Sequence, residues 1–214
     1  MRRCTHPAQN KVDYADRYER WKLLITLWLL GYIDLYFADE TGFTLQPYVP
    51  YAWQKKKETY RLFARRSPHR LNVLGLMRLD NKLTIYHREQ PIDGEFIMNS
   101  FNNFCKQPYT KPRVVILDNG PVHHAKVVEE KLAEWEAAGL YLFYLPTYSP
   151  HLNPIEILWR FCKYKWLNKP NYKSWSKLKK AILAILRSFG SDYHINFDNL
   201  VLKNAVINVK SNSD

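Results

Sequence analysis

"RVVILDNG", Arg113 to Gly120, is a β-branched apolar run stopped by Asn-Gly, and it reads as a short buried strand. The residues after it supply its partners. "HHAKVVEEKLAEWEAAG", His123 to Gly139, reads as a helix closed by Gly139, and "LYLFYLP", Leu140 to Pro146, as another short strand. Upstream, "YIDLYFADE" (Tyr32 to Glu40) reads as a buried strand, followed by a polar, proline-punctuated excursion that begins at Thr41. "LNVLGLMRLDNKLTIYH" (Leu71 to His87) then holds two apolar runs joined at Asp80-Asn81, a hairpin signal. Helices are expected from about Asp13 to Leu30, running through Gly31 into the first strand, and from about Gly94 to Lys106. Strands with antiparallel connections, then strands alternating with helices, define an α/β fold: a mixed sheet with helices on both faces.

The chain has 214 residues, 46% hydrophobic and 15% aromatic, enough for one sizeable core, so a single domain spanning 1–214 is expected. It divides into an N-terminal helix, a core over about 33–168 and a basic helical segment over about 169–214. Lys and Arg outnumber Asp and Glu by 32 to 20, a net charge of +12 that suits a polyanionic partner, nucleic acid before a membrane surface. Cys4, Cys105 and Cys162 are odd in number and too far apart for a CxxC pair. They suggest neither a zinc site nor a disulfide framework, and a reducing, cytoplasmic compartment fits them. The most apolar stretch, Trp21 to Phe37, is cut by Gly31 and Asp34 well short of the roughly 20 residues a bilayer requires. No membrane partner is expected.

Three acids hold comparable places in this outline. Asp39 is read at the end of the first strand, Asp118 at the end of "VVILD", and Glu156 in the first turn of the helix in "SPHLNPIEILWRF" (Ser149 to Phe161). Ligand sites in sheets of this kind gather at the carboxyl ends of strands, so acids from distant sequence can converge there. Mg²⁺ prefers hard oxygen ligands, and two such ions about 4 Å apart can activate a nucleophile and stabilise the leaving oxygen of a phosphodiester. Each acid also has a plain structural reading. Glu40 beside Asp39 is as good a ligand on composition alone, and Asp118-Asn119-Gly120 makes an ordinary turn. Asn153 as N-cap, Pro154 at the first helical position and Glu156 three residues after the cap spell a capping box.

"FADETGFTL" (Phe37 to Leu45), "VVILDNGPVHHA" (Val114 to Ala125) and "LPTYSPHLNPIEILWRF" (Leu145 to Phe161) together resemble the catalytic domain of DDE transposases, in the bacterial insertion-sequence branch related to mariner elements. The resemblance runs from about Asp34 to Leu167, more weakly through "SWSKLKKAI". It implies a ribonuclease H-like fold, with Asp39, Asp118 and Glu156 as catalytic acids and as ligands of two Mg²⁺ ions for which Mn²⁺ can substitute. Asp118 and Glu156 are 38 positions apart, a separation similar to the family's. The chemistry implied is nicking at transposon ends and attack of the freed 3′-OH on target DNA, by a homodimer assembled on double-stranded DNA. His123 matches the family's motif histidine and is expected to orient the turn after Asp118 or to approach a phosphate; Asn119 and Asn153 are expected to support the acids. Helix-turn-helix modules usually precede the family's first catalytic strand, whereas 33 residues precede Asp34 here. An upstream helix-turn-helix product is therefore expected to recognise the ends, in a bacterial, nucleoid-associated setting.

From Arg160 to Lys180 the sequence holds eight basic residues and no acid, with Tyr164, Trp166, Tyr172 and Trp175 interleaved. Glu156, Arg160 and Lys163 share a helical face, so Arg160 and Lys163 are candidate phosphate binders beside the acids, or Glu156 and Arg160 a simple i,i+4 pair. Lys55, Lys56 and Lys57 open a second basic stretch, Trp53 to Arg70, suited to gripping DNA, to meeting a second protomer, or merely to solvation.

Overall fold

A computed structural model describes residues 11–46 and 68–200. Lys55, Lys56 and Lys57, and with them most of the stretch from Trp53 to Arg70, lie outside the described residues. So does the end of the basic C-terminal segment.

Helix α1 (Lys11–Leu29) leads into strand β1 (Asp34–Thr44), which is followed by β2 (Arg70–Met77) and β3 (Leu83–Arg88). Helix α2 (Gly94–Cys105) precedes β4 (Arg113–Leu117). The expected helix between β4 and β5 (Leu140–Tyr144) is broken into a 3-10 turn, α3 (Lys126–Glu129) and α4 (Leu132–Ala137). The break falls where Lys131 N–H bonds the carbonyl of Val128, three residues back, tightening the turn so that Val128 and Trp135 both reach the core. Beyond β5 come α5 (Ile155–Phe161), a π-helical turn over Cys162–Trp166 and α6 (Trp175–Arg187).

The sheet order is β3-β2-β1-β4-β5. β1, β2 and β3 pair antiparallel; β4 is parallel to β1, and β5 to β4. Alternate residues of the strands serve two cores. Leu35 and Phe37 join Trp21 and Ile25 of α1, Leu158 and Trp159 of α5 and Leu178 of α6 on one face. Ala38, Leu74 and Val115 join Ile97 and Phe101 of α2 and Trp135 of α4 on the other. The mixed sheet with helices on both faces is the expected architecture.

β1 is longer than the sequence suggested. Thr41 to Thr44 were expected in the excursion but pair with β2 as far as Thr44 and Arg70, because Thr41 and Phe43 are both buried in the continued ladder. Asp39 therefore lies inside a strand. Gly75 of β2 sits opposite it, and a Cβ there would come within 2.7 Å of the Trp159 ring. Only a glycine lets that indole lie flat on the sheet. Gly75→Ala should destabilise the fold by about 1–3 kcal/mol through overpacking, read as a lowered thermal midpoint.

Candidate active site

Parallel pairing between β1 and β4 ends at Phe37 and Ile116. Two residues further on, Asp39 continues along β1 beside β2, while β4 ends at Leu117 and the chain leaves the sheet at Asp118. The two carboxylates thus arrive level, at the point where the strands part. Period-two alternation decides between Asp39 and Glu40. Asp39 follows Leu35 and Phe37 onto the α5 face, where Trp159 Nε1–H donates to its Oδ2 at 3.0 Å. Glu40 turns to the other face, where its Oε1 lies 3.3 Å from His123 Nε2.

Glu156 reaches the same place from α5, though not through the expected capping box. The residue preceding the helix is Pro154, and no side chain caps it. Asn153 is buried and its Nδ2–H donates to the carbonyl of Ala38 at 2.9 Å, tying the Ser149–Pro154 segment to β1 just before Asp39. That cross-strand anchor fixes the side chain through Nδ2, and its Oδ1, the atom that a cap would use, accepts no hydrogen bond. The first turn is instead closed by backbone bonds, Glu156 N–H to Asn153 and Ile157 N–H to Pro154.

Asp39, Asp118, Asn119, Asn153 and Glu156 line one open cleft of about 400 Å³, together with Thr147, Tyr148 and Ser149. The acids do not close around a point: among the described residues no three His, Cys, Asp or Glu side chains are grouped as a ready-made metal cage. Their electrostatics are nevertheless strongly coupled. Burial, then the charges of Glu156, Glu40 and Asp118, push the Asp39 carboxyl from 3.8 to about 8. His123, 1% exposed, lies 3.2 Å from Asp118 Oδ1 as well as beside Glu40. Burial opposes its charge, but the contacts with Asp118 and Glu40 win and raise it to about 9. The same imidazolium holds the Asp118 carboxyl below its ordinary value. The Asp118 turn is further fixed by Gly120 N–H donating to Asp118 Oδ1, and Asn119 Oδ1 meets His124, which stacks on Tyr144.

Arg160 and Lys163 join Glu156 along a second groove, of about 530 Å³, which shares Pro150, Asn153 and Glu156 with the acid cleft. Lys163 falls in the π-helical turn and is half-buried. Burial lowers its amine against the opposing pull of Glu156 and Asp39. Trp159 is the contributor that sequence reasoning passed over, and Glu40, weighed there as a rival ligand to Asp39, instead partners His123. Trp159 carried a signal, three residues from Glu156 on the same helical face; the partnership of Glu40 with a histidine 83 positions away carried none.

A five-stranded 3-2-1-4-5 sheet with acids meeting beside its central strands defines a nuclease-like ribonuclease H architecture. The family model for the DDE superfamily endonucleases matches residues 34–179, and the chain belongs to that family. Among solved structures it is similar to the Mos1 mariner paired-end complex with Mn (TM-score 0.60, 14% identity, 95% of this chain and 62% of that one). It is also similar to the Mos1 transposase paired-end complex with the left transposon end (0.58, 14%, 88% and 59%) and to the Mos1 catalytic domain (0.52, 12%, 87% and 86%). At such identities the likeness is one of fold, and the chain spans about three fifths of the two transposases in the paired-end complexes. No curated protein matches it significantly in sequence. Among the described residues no helix is long and apolar enough to cross a membrane.

The raised Asp39 carboxyl has a consequence for stability. Below about pH 4 it is protonated folded and unfolded alike and costs nothing; from there to about pH 8 the folded state is progressively penalised. Asp39→Asn should therefore raise the thermal midpoint at pH 8 to 9 in metal-free buffer and leave it nearly unchanged near pH 4. Equal shifts at both ends of the range would rule out the charge as the cause.

Proposed function

We propose that this chain is the catalytic part of a DNA transposase, cutting strands at transposon ends and joining them to target DNA with divalent metal. The observation that carries the reading is the meeting of Asp39, Asp118 and Glu156, from three separate elements, in one cleft whose continuation is lined by Arg160 and Lys163. The donor set fits hard cations such as Mg²⁺ or Mn²⁺: all oxygen, with several acids together and one carboxyl raised to about 8 by burial and then by its acidic neighbours. Asp39, Asp118 and Glu156 would hold two such ions, which when bound activate the attacking oxygen and stabilise the leaving one.

The chain's own groups prepare that site. Trp159 fixes the rotamer of Asp39 from the sheet side, and His123, held between Glu40 and Asp118, keeps Asp118 ionised. Asn153 ties the approach to Glu156 onto β1. Arg160 and Lys163 bind backbone phosphates and bring the scissile strand across the acids. Asn119 supports the turn after Asp118, and Lys55, Lys56 and Lys57 grip DNA further out. The working form is a homodimer on double-stranded DNA, binding transposon ends and then target, with ends recognised by an upstream helix-turn-helix product and the whole associated with a bacterial nucleoid.

Asp118→Ala or Glu156→Ala should abolish Mn²⁺- or Mg²⁺-dependent nicking of duplex DNA while the protein remains folded by thermal melt. Full, metal-dependent activity in Asp118→Ala would sink the assignment. Cutting without joining of a supplied 3′-OH end would instead leave a nuclease of the same fold.

Arg160 and Lys163 make a separate claim about binding. Each phosphate contact contributes about 0.9 to the log-log salt slope of duplex affinity. Neutralising both as Arg160→Gln and Lys163→Gln should flatten the slope by roughly two units. A slope that does not move would put the DNA on another surface.

A further inference from the structure

The acid cleft has one wall that the chemistry above leaves without a task. Between β5 and α5 the chain passes through Thr147, Tyr148 and Ser149, all lining the cleft with Asp39, Asp118 and Glu156. Tyr148 has φ +57°, in the left-handed region. A bulky aromatic residue there is a genuine outlier, and such strain is kept where the surroundings enforce it. The surroundings are on view: Leu145 N–H is tied to Leu117, Ser149 is 4% exposed, and Asn153 is anchored to Ala38. The strain does not serve burial, because Tyr148 is 55% exposed. An apolar ring is thus presented to solvent at the lip of a polar cleft by backbone of unfavourable conformation.

The position of the ring suggests its use. The basic groove of Arg160 and Lys163 and the acid cleft share Pro150, Asn153 and Glu156, so the two form a continuous track. A strand whose phosphates lie on Arg160 and Lys163 would reach the acids along this track, and Tyr148 is in the wall of the acid cleft. A base that leaves its stack beside a bound phosphodiester can be received by an exposed aromatic face, which stacks a base of any sequence. We propose that Tyr148 is a substrate-contacting residue, a stacking platform for the nucleotide next to the scissile phosphate, acting on an unpaired or frayed strand. This rests on the DNA-cleaving reading above and adds the state of the strand: single-stranded at the point of cutting.

Forked duplexes with 2-aminopurine or an abasic site at the junction, bound by the full chain in Ca²⁺ buffer, test it. Wild type should quench 2-aminopurine and bind the normal fork more tightly than the abasic one. Tyr148→Phe should keep both properties. Tyr148→Ala should lose the quench and roughly 5- to 150-fold in affinity for the fork, the value of one base stack, with no further loss on the abasic fork and little change on continuous duplex. Tyr148→Gly separates strain from contact: it should melt higher than wild type, since glycine accepts φ +57° freely, yet bind like Tyr148→Ala. Unchanged quenching and fork affinity in Tyr148→Ala, with wild-type nicking retained, would overturn the platform and leave the transposase reading standing. A wild-type chain that neither binds forks nor nicks DNA would overturn both.

Discussion

Repulsion among carboxylates is the constraint around which this protein is built. Asp39, Glu40, Asp118 and Glu156 are gathered near the point where two parallel strands part, and burial, reinforced by this repulsion, raises the Asp39 carboxyl to about 8. Each acid is restrained by something other than its neighbours. Asp39 has the indole of Trp159; Asp118 and Glu40 share the buried imidazolium of His123; Glu156 stands on a segment pinned to β1 through Asn153. None of these restraints neutralises the cleft. They hold the acids in place, the arrangement that the metal-binding reading proposed above calls for.

The layers of the fold are visible in the sequence because their signals are local. The apolar run ended by Asn119-Gly120, the Asp80-Asn81 turn, where Asn81 has φ +63°, and Gly139 closing a helix all depend on residues within a few positions of one another. What escaped depends on contacts across the chain. The capping box at Asn153 was good local grammar, overruled when the side chain was oriented by its Nδ2–H bond to Ala38, 115 positions away. The break after Glu129 serves the placing of Val128 and Trp135 under α2, which no helix propensity encodes. The end of β1 was hidden by Thr41-Gly42, residues that read as a turn but sit paired in a ladder.

The candidate site was legible to the same degree. Asp39, Asp118 and Glu156 are brought to one cleft with Asn119 and Asn153, and His123 lies against Asp118. Composition left Asp39 and Glu40 equal and the family resemblance chose Asp39; in the fold the strand's period of two, counted from Leu35 and Phe37, separates the two acids onto opposite faces. Sequence could not reveal that the rejected acid has its own work, because Glu40 and His123 meet only after β4 and its following turn have folded onto β1.

The run of β1 past Asp39 carries a mechanical meaning. Five successive pairs, from Glu40 with Leu74 to Thr44 with Arg70, carry β1 and β2 on as an antiparallel arm past the end of the pairing between β1 and β4, with β3 alongside as far as Asn72 and Arg88. At about 3.3 Å per residue the arm is roughly 17 Å long, and the stretch containing Lys55, Lys56 and Lys57 connects its two strands. Asp39 is at its root, in the same strand, with no intervening loop. The position of Asp39 is therefore tied through continuous paired strand to the far end of the ladder at Thr44 and Arg70.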